Sequence, residues 1–284
     1  MDCLLEGILM SQEEWSKPKK ALGQNFLTDR RILDTIGEAV AATPADLIIE
    51  VGPGRGALTE VLLAKDAKVL AIELDTSLVP VLREKFAGKN FSLLEGDVLE
   101  VDFLQLVGER RDAKFAANLP YYISTAVLQK LCRTAGLFKK IVVMLQLEVA
   151  ERITAPAGSS ERGYLTVLIE RVFNVESVCK VPPGSFMPQP KVWSAVVMLN
   201  PRVDLASSGA QSFSIFTEFA SAAFSQKRKT LANNLKNWGG MKGGDVGALL
   251  ARAGIEPLAR AESLDREAWL RLEHEFRTQG LTQD

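Results

Sequence analysis

Asn118, Leu119, Pro120 and Tyr121 stand consecutively, and together they could handle an amino group on an aromatic base. The lone pair of such an amine, N6 of adenine for example, is delocalised into the ring, so the nitrogen is a poor nucleophile. The Asn118 side-chain oxygen could accept one N–H, and a main-chain carbonyl at Leu119 or Pro120 could accept the other. Two such bonds favour a more pyramidal nitrogen. Pro120 holds the preceding residue extended. Tyr121 offers a face on which a flipped base can stack, at roughly 1–3 kcal/mol. Without its context, the same tetrapeptide is a proline turn with a buried tyrosine. A second segment, Phe186-Met187-Pro188-Gln189-Pro190-Lys191-Val192, would alone be a proline-rich surface loop. Beside Tyr121, Phe186 would be the other face of an aromatic clamp.

Three further positions suit a nucleoside-containing cofactor. Gly52, Gly54 and Gly56 punctuate Glu50-Val51-Gly52-Pro53-Gly54-Arg55-Gly56, and glycines allow both a tight turn and a close ligand. Glu73 ends an apolar run, where an acid can accept from ribose hydroxyls. Asp97 ends the next, where an acid can accept from an adenine amine. Each alone is equally a turn, a cap or a surface acid; three in succession are a stronger signal. A nicotinamide enzyme would carry G-x-G-x-x-G. Here the third glycine comes one residue early and Pro53 sits inside the turn. Glu50, just ahead of the loop, could meet a cofactor's cationic end directly or through water.

The elements that must position these residues follow from the apolar pattern. Strands are expected at 47–51, 68–73, 91–94, 114–117 and 140–145. Helices are expected after an N-cap at Thr28 or Asp29 and at 57–63, 78–86, 123–132 and 146–153. Alternation of this kind implies a mostly parallel sheet with helices on both faces and a ligand crevice beyond the strands' C-terminal ends. Two more strands are expected near 173–180 and 194–199, with 181–190 too rich in proline for a regular element. Asn200 to Gln211 is a polar linker. Beyond it, 213–278 is helical in pattern.

The chain has 284 residues, 47% hydrophobic and 24% charged, with a net charge of −1. This is globular composition, and its length suits one large unit and one small one. No apolar run approaches the roughly 20 residues of a membrane span. Met1 to Trp15 is acidic and lacks arginine, so it reads as an extension, with Met10 an alternative start, rather than as a targeting peptide. Three scattered cysteines argue for a reducing compartment and against a disulfide framework or zinc site. The single histidine, His274, excludes a histidine-rich metal centre and offers nothing for a Ser-His-Asp triad. The near-neutral total hides two basic bunches, Lys17/Lys19/Lys20 and Lys227/Arg228/Lys229. Each is a solvated surface or a phosphate contact.

Asn118-Leu119-Pro120-Tyr121 resembles the tetrapeptide of amino-methyltransferases. With it stand Lys20-Ala21-Leu22-Gly23-Gln24-Asn25-Phe26-Leu27, the Gly52 loop, Glu73-Leu74-Asp75, Gly96-Asp97, Phe186 to Val192 and Ala223 to Leu231. In this order the segments are similar to those of the small-subunit ribosomal RNA adenine N6-dimethyltransferase family, from about Lys17 to Lys236. The resemblance implies an α/β fold: a Rossmann-like class I S-adenosylmethionine methyltransferase domain with a mostly parallel seven-stranded sheet (17–200), followed by a small all-helical RNA-recognition domain (201–284), with 1–16 as extension. It implies S-adenosylmethionine as cofactor, with contacts at Asn25, Leu27, Gly52, Gly54, Glu73, Asp97 and Asn118. Asn118 to Tyr121 and Phe186 would be the catalytic group.

The family's reaction places two methyl groups on each of two adjacent adenosines in a hairpin near the 3′ end of 16S ribosomal RNA. Lys19, Lys20, Lys227, Arg228 and Lys229 would then contact RNA phosphates, making binding salt-dependent. The expected partner is the small ribosomal subunit, engaged by a cytoplasmic, metal-free monomer. Three departures bear on RNA contacts or local orientation: Leu147 where the family usually has lysine, Tyr122 where asparagine is common, and the order Arg162-Gly163-Tyr164. The alternatives are a large-subunit adenine methyltransferase of the antibiotic-resistance type, more often carrying Asn-Ile-Pro-Tyr, and a non-catalytic assembly factor. Leu119 and the 223–231 segment disfavour the first, and an intact Glu73 and tetrapeptide disfavour the second.

Overall fold

The computed structural model of the chain describes residues 18–19, 22–202, 210–236, 238, 241 and 243–278. Its elements in order are β1 (Phe26–Leu27), α1 (Arg30–Val40), β2 (Leu47–Val51), α2 (Ala57–Leu63), β3 (Lys68–Glu73), α3 (Val79–Lys85), β4 (Phe91–Glu95), α4 (Phe103–Val107), β5 (Ala113–Asn118), α5 (Ser124–Arg133), β6 (Phe138–Gln146), α6 (Leu147–Ile153), α7 (Tyr164–Val172), β7 (Phe173–Val181), β8 (Phe186–Met187) and β9 (Ser194–Pro201). Helices α8 (Ala210–Ala223), α9 (Leu231–Leu235), α10 (Gly243–Arg252) and α11 (Arg266–Thr278) complete it.

Seven strands form one sheet in the order β4-β3-β2-β5-β6-β9-β7. The pairs β3–β4, β2–β3, β2–β5 and β5–β6 are parallel, and β9 runs antiparallel between β6 and β7. The chain builds outward from β2 to β4, then returns to the other side of β2 with β5. That reversal opens a crevice where β2 and β5 end, the usual ligand position in such sheets. The Gly52 loop leaves β2 there, and Asn118 is the last residue of β5.

Burial explains why these segments became elements. All five residues of β2 are buried, as expected for a central strand covered on both faces. Helix α1 buries Leu33, Ile36, Gly37 and Val40, one stripe at helical spacing. Its N-cap, Asp29, accepts from the Arg31 N–H at 3.1 Å. At Gly37 a Cβ would stand 2.4 Å from Val61 Cγ1, so glycine lets α1 lie close on α2. Phe103, Phe115 and Phe138 pack edge to face beneath the opposite side of the sheet, with centroids 5.7–5.9 Å apart.

The expected strands and helices stand within a few residues of their places. Two helices were not expected, α4 and α7. The proline-rich stretch is a correction: it contains a 3-10 turn at Pro183–Ser185 and the short strand β8, antiparallel to β1. Phe186 and Met187 keep their N–H groups, so a ladder of two residues fits between the flanking prolines.

The C-terminal helices pack against α7 and α5. Phe216, Phe219, Trp269 and Phe276 are buried in one hydrophobic cluster with Phe173 and the sheet. Arg171 on α7 forks onto Glu273 on α11 through bonds of 2.9 and 2.7 Å, with its guanidinium 4.9 Å from the Phe216 ring centroid. Strand β9 ends at Pro201, and the described chain resumes with α8 at Ala210.

Candidate active site

The crevice is an open cleft enclosing about 830 Å³ of space, solvent at its mouth included. Its walls include Asn25, Gly52, Gly54, Glu73, Asp97, Asn118, Leu119, Pro120, Tyr121 and Phe186. The fold thus gathers into one cavity residues that are scattered over 160 positions of sequence. Of the expected cofactor contacts, Leu27 alone stands apart from this list of walls. It lines a smaller adjoining cavity with Glu50, Pro53 and Arg55, and the two cavities share Phe26, Gly52, Gly54 and Asn118.

The glycine loop is shaped by its acid. Gly52 and Gly54 have φ of +66° and +57°, a region that favours glycine. At Gly54 a Cβ would also come within 2.9 Å of the Phe26 ring. The Gly54 N–H donates to Glu73 Oε2 at 3.1 Å, and the Asp75 N–H to Glu73 Oε1 at 2.8 Å. Burial pushes the Glu73 carboxyl above its ordinary range, against the pull of these two N–H groups. Glu50 is more secluded, at 1% exposure. Its Oε2 accepts from Thr59 Oγ1 at 2.7 Å. Burial drives it up to about 8; the Thr59 bond opposes this and the Glu73 charge adds to it. Asp97 Oδ1 accepts from the Leu99 N–H at 2.8 Å, which orients its carboxylate at the end of β4.

The reaction-centre tetrapeptide is pinned on each side. Leu119 N–H donates to Met144 O at 3.2 Å, and Pro120 O accepts from Ile123 N–H at 3.2 Å. The Asn118 Nδ2 donates to the main-chain carbonyl of Asn25 at 3.2 Å. A carbonyl only accepts, so this contact identifies the amide nitrogen and leaves Oδ1 as the free face. The Tyr121 hydroxyl and the buried Ser194 Oγ lie 2.9 Å apart, which anchors the ring. Phe186 is 3% exposed and reaches the cleft from β8. Two exposed apolar side chains, Leu74 and Tyr122, line the cleft, and the exposed Met187 follows Phe186 on β8. Burial raises the Tyr122 hydroxyl, and the negative charges of Asp97 and Glu73 add to it.

The expected RNA contacts divide. Lys227, Arg228 and Lys229 are exposed in the turn between α8 and α9, where Lys227 Nζ reaches Ser160 O at 3.2 Å. Lys19 is half-exposed and ion-paired with Asp75 at 2.6 Å. Lys17 and Lys20 lie outside the described residues. Two of the departures serve packing. Arg162 is buried, forks onto Glu170 at 2.8 and 2.6 Å, and donates to Leu264 O at 3.1 Å. Leu147 packs against the core, and its N–H donates to Trp193 O. Asp75, for which no role was expected, binds Lys19 and Gln24 of the segment that enters the cleft wall; its position two residues after Glu73 was the available signal. His274 is exposed on α11. Among the described residues no group of three or more His, Cys, Asp or Glu could hold a metal ion. No described helix is long and apolar enough to cross a membrane.

A Rossmann-like sheet, a glycine loop against a buried acid, and an Asn-Leu-Pro-Tyr turn across the switch point together define an amino-methyltransferase site. Residues 15–278 match the family described as ribosomal RNA adenine dimethylase. A ribosomal RNA small subunit methyltransferase A from Geobacter metallireducens is 44% identical over 269 residues, covering 91% of this chain and 95% of that protein. The protein of the same name from Pseudomonas fluorescens is 39% identical over 264 residues, covering 93% and 95%. Among solved structures, a dimethyladenosine transferase from Plasmodium falciparum has a TM-score of 0.74 at 29% identity, covering 90% of this chain and 98% of that one. The 23S rRNA methyltransferase ErmE has a TM-score of 0.68 at 28% identity, covering 89% and 100%. The chain belongs to the ribosomal RNA adenine dimethylase family.

Proposed function

We propose that this chain binds S-adenosylmethionine in the cleft and dimethylates N6 of two adjacent adenosines in the 3′-terminal hairpin of 16S ribosomal RNA, during assembly of the small subunit. The observation that carries the reading is the position of Asn118 to Tyr121 at the end of β5, directly across the switch point from the Gly52 loop and Glu73. Identity favours the small-subunit relatives, at 39–44%, over the large-subunit enzyme ErmE at 28%.

The residues fit the cofactor. Gly52 and Gly54 leave room for close approach, Glu73 suits the ribose hydroxyls, and Asp97 suits the adenine amine. Asn25 and Leu27 complete the wall beside the loop, and Glu50 faces the smaller cavity, where a cationic end would be matched. When bound, S-adenosylmethionine supplies a methyl group already activated by its sulfonium charge. The chain's own task is alignment and electrostatics. Asn118 Oδ1 accepts one N6–H. The Leu119 carbonyl accepts the other, since the Pro120 carbonyl is engaged by Ile123. Tyr121 and Phe186 hold the base between them. Each transfer forms an N–CH3 bond and releases one N6 proton to water, so after the first N6 keeps a single N–H, enough for one of the two bonds. After the second transfer it keeps none, so the product loses both anchors and leaves.

Lys19, Lys20, Lys227, Arg228 and Lys229 contact phosphates, and the exposed apolar rim receives single-stranded RNA. The chain acts as a metal-free monomer in the cytoplasm, with 17–200 as the catalytic unit, 201–284 as the RNA-recognition unit and 1–16 as an extension. Replacing Asn118 with alanine tests the reading: methyl transfer to unmethylated small subunits should be lost while their binding persists. A rate equal to wild type would remove Asn118 from the chemistry.

A further inference from the structure

A run of hydrogen bonds joins the N-terminal segment of the cleft wall to the reaction centre, and it passes through Asp75. The Asp75 side chain is 0% exposed. Its Oδ1 accepts from Lys19 Nζ at 2.6 Å and from Ser77 Oγ at 2.5 Å, and its Oδ2 accepts from Gln24 Nε2 at 2.7 Å. Lys19 N–H in turn donates to Gln24 Oε1 at 2.7 Å, so the two partners are tied to each other. The residue after Gln24 is Asn25, whose carbonyl receives the Asn118 amide. Beyond Asn25 the segment enters β1, paired with β8 through Phe26↔Met187 and Leu27↔Phe186. Asn25 is therefore suspended between two attachments, the Asp75 cluster on one side and the strand pair on the other.

An ion pair with a half-exposed lysine contributes little by itself, and sequestering a carboxylate is costly unless its lone pairs are filled. Asp75 meets that demand with the Ser77 N–H and hydroxyl from its own turn, and with Lys19 and Gln24 from the segment that leads into the cleft wall. The main-chain N–H of Asp75 also binds Glu73, so the cluster connects to the glycine loop through Glu73 and Gly54.

We infer that Asp75 is a positioning residue: by holding Lys19 and Gln24 it places the Asn25 carbonyl, which fixes the Asn118 amide with Oδ1 toward the amine, and it keeps Leu22 to Phe26 against the bound cofactor. Cofactor retention and readiness of the amine acceptor are thereby coupled through one carboxylate. The inference rests on the proposed methyltransferase reading.

The test uses the full chain with Asp75→Asn, Gln24→Ala and Lys19→Met. Asp75→Asn keeps the side chain's shape but sets an NH2 against a donor. Its turnover on unmethylated small subunits should fall on the order of 10- to 100-fold, up to the scale of a misplacement of about 1 Å. Dissociation of S-adenosylhomocysteine, followed by stopped flow, should accelerate, while KM for the subunit stays at the wild-type value. Gln24→Ala should shift both quantities in the same direction by less, and it serves if Asp75→Asn fails to fold. Lys19→Met should add nothing further to S-adenosylhomocysteine dissociation in the Asp75→Asn background, whatever its loss costs in subunit binding. Wild-type turnover and dissociation in both Asp75→Asn and Gln24→Ala, or additive effects of Lys19→Met on that dissociation, would overturn the inference. A wild-type chain that binds S-adenosylhomocysteine but methylates no RNA would strike the functional reading instead, leaving the dissociation rates to judge Asp75.

Discussion

Glu50 offers a perturbation whose sign and size follow from its surroundings. It is the next-to-last residue of β2, opposite Ala71 and Ala116 on the neighbouring strands, and Thr59 gives it one hydroxyl bond. Burial lifts its carboxyl from 4.5 to about 8. A carboxyl with a raised folded value is neutral in both states below 4.5, so nothing is lost there. Between 4.5 and about 8 the unfolded chain ionises and the folded one resists, so stability declines across that window. At about 1.4 kcal/mol per pH unit the full decline is on the order of a few kcal/mol. Glu50→Gln cannot ionise and still accepts from Thr59. Urea unfolding of the ligand-free protein should show variant and wild type similar near pH 5, with the variant increasingly the more stable toward pH 9. Titration with S-adenosylmethionine above about pH 8, where the folded carboxyl is ionised, should show the opposite ranking, since the variant then lacks the charge that faces the cofactor's cationic end. A stability difference that does not change with pH would refute the burial argument. Equal affinities would remove Glu50 from the cofactor site.

The aromatic clamp and the basic turn give further expectations. Tyr121→Ala should slow turnover through lost stacking, by roughly 1–3 kcal/mol of base positioning, whereas Tyr121→Phe keeps the ring and should slow it little. The latter leaves Ser194 without its partner and should lower stability by about 1–3 kcal/mol in denaturant unfolding. Phe186→Ala should slow turnover too, and normal rates in both alanine variants would dismiss the clamp. Replacing Lys227, Arg228 and Lys229 together with alanine should weaken small-subunit binding and flatten its dependence on salt; an unchanged slope would return them to plain solvated surface.

Most of the sheet was legible because its strands are short apolar runs ended by glycine or an acid, each followed by an amphipathic helix. The site was legible for the same reason: Gly52, Glu73, Asp97 and Asn118 all stand at strand ends, where chemistry collects in this architecture. Helix α7 was not legible. Leu165 to Ile169 are all buried, and such a run has no polar face to betray a period of 3.6. Helix α4 is a single turn and more. The β1–β8 pair exists only because two distant dipeptides meet, which no local pattern records. The role of Asp75 was hidden likewise: its partners Lys19 and Gln24 lie 56 and 51 residues away. Arg162 looked like a surface departure near the RNA because its sequence neighbours are polar. Its burial against Glu170 and Leu264 depends on the C-terminal helices packing over α7.

The most direct test of the central claim is transfer of a labelled methyl group from S-adenosylmethionine to unmethylated small and large ribosomal subunits, followed by digestion and identification of the modified nucleoside. The account predicts N6,N6-dimethyladenosine at two adjacent positions near the 3′ end of the small-subunit RNA, and no incorporation into large subunits. Label in the large subunit alone, or on an atom other than N6 of adenine, would contradict it.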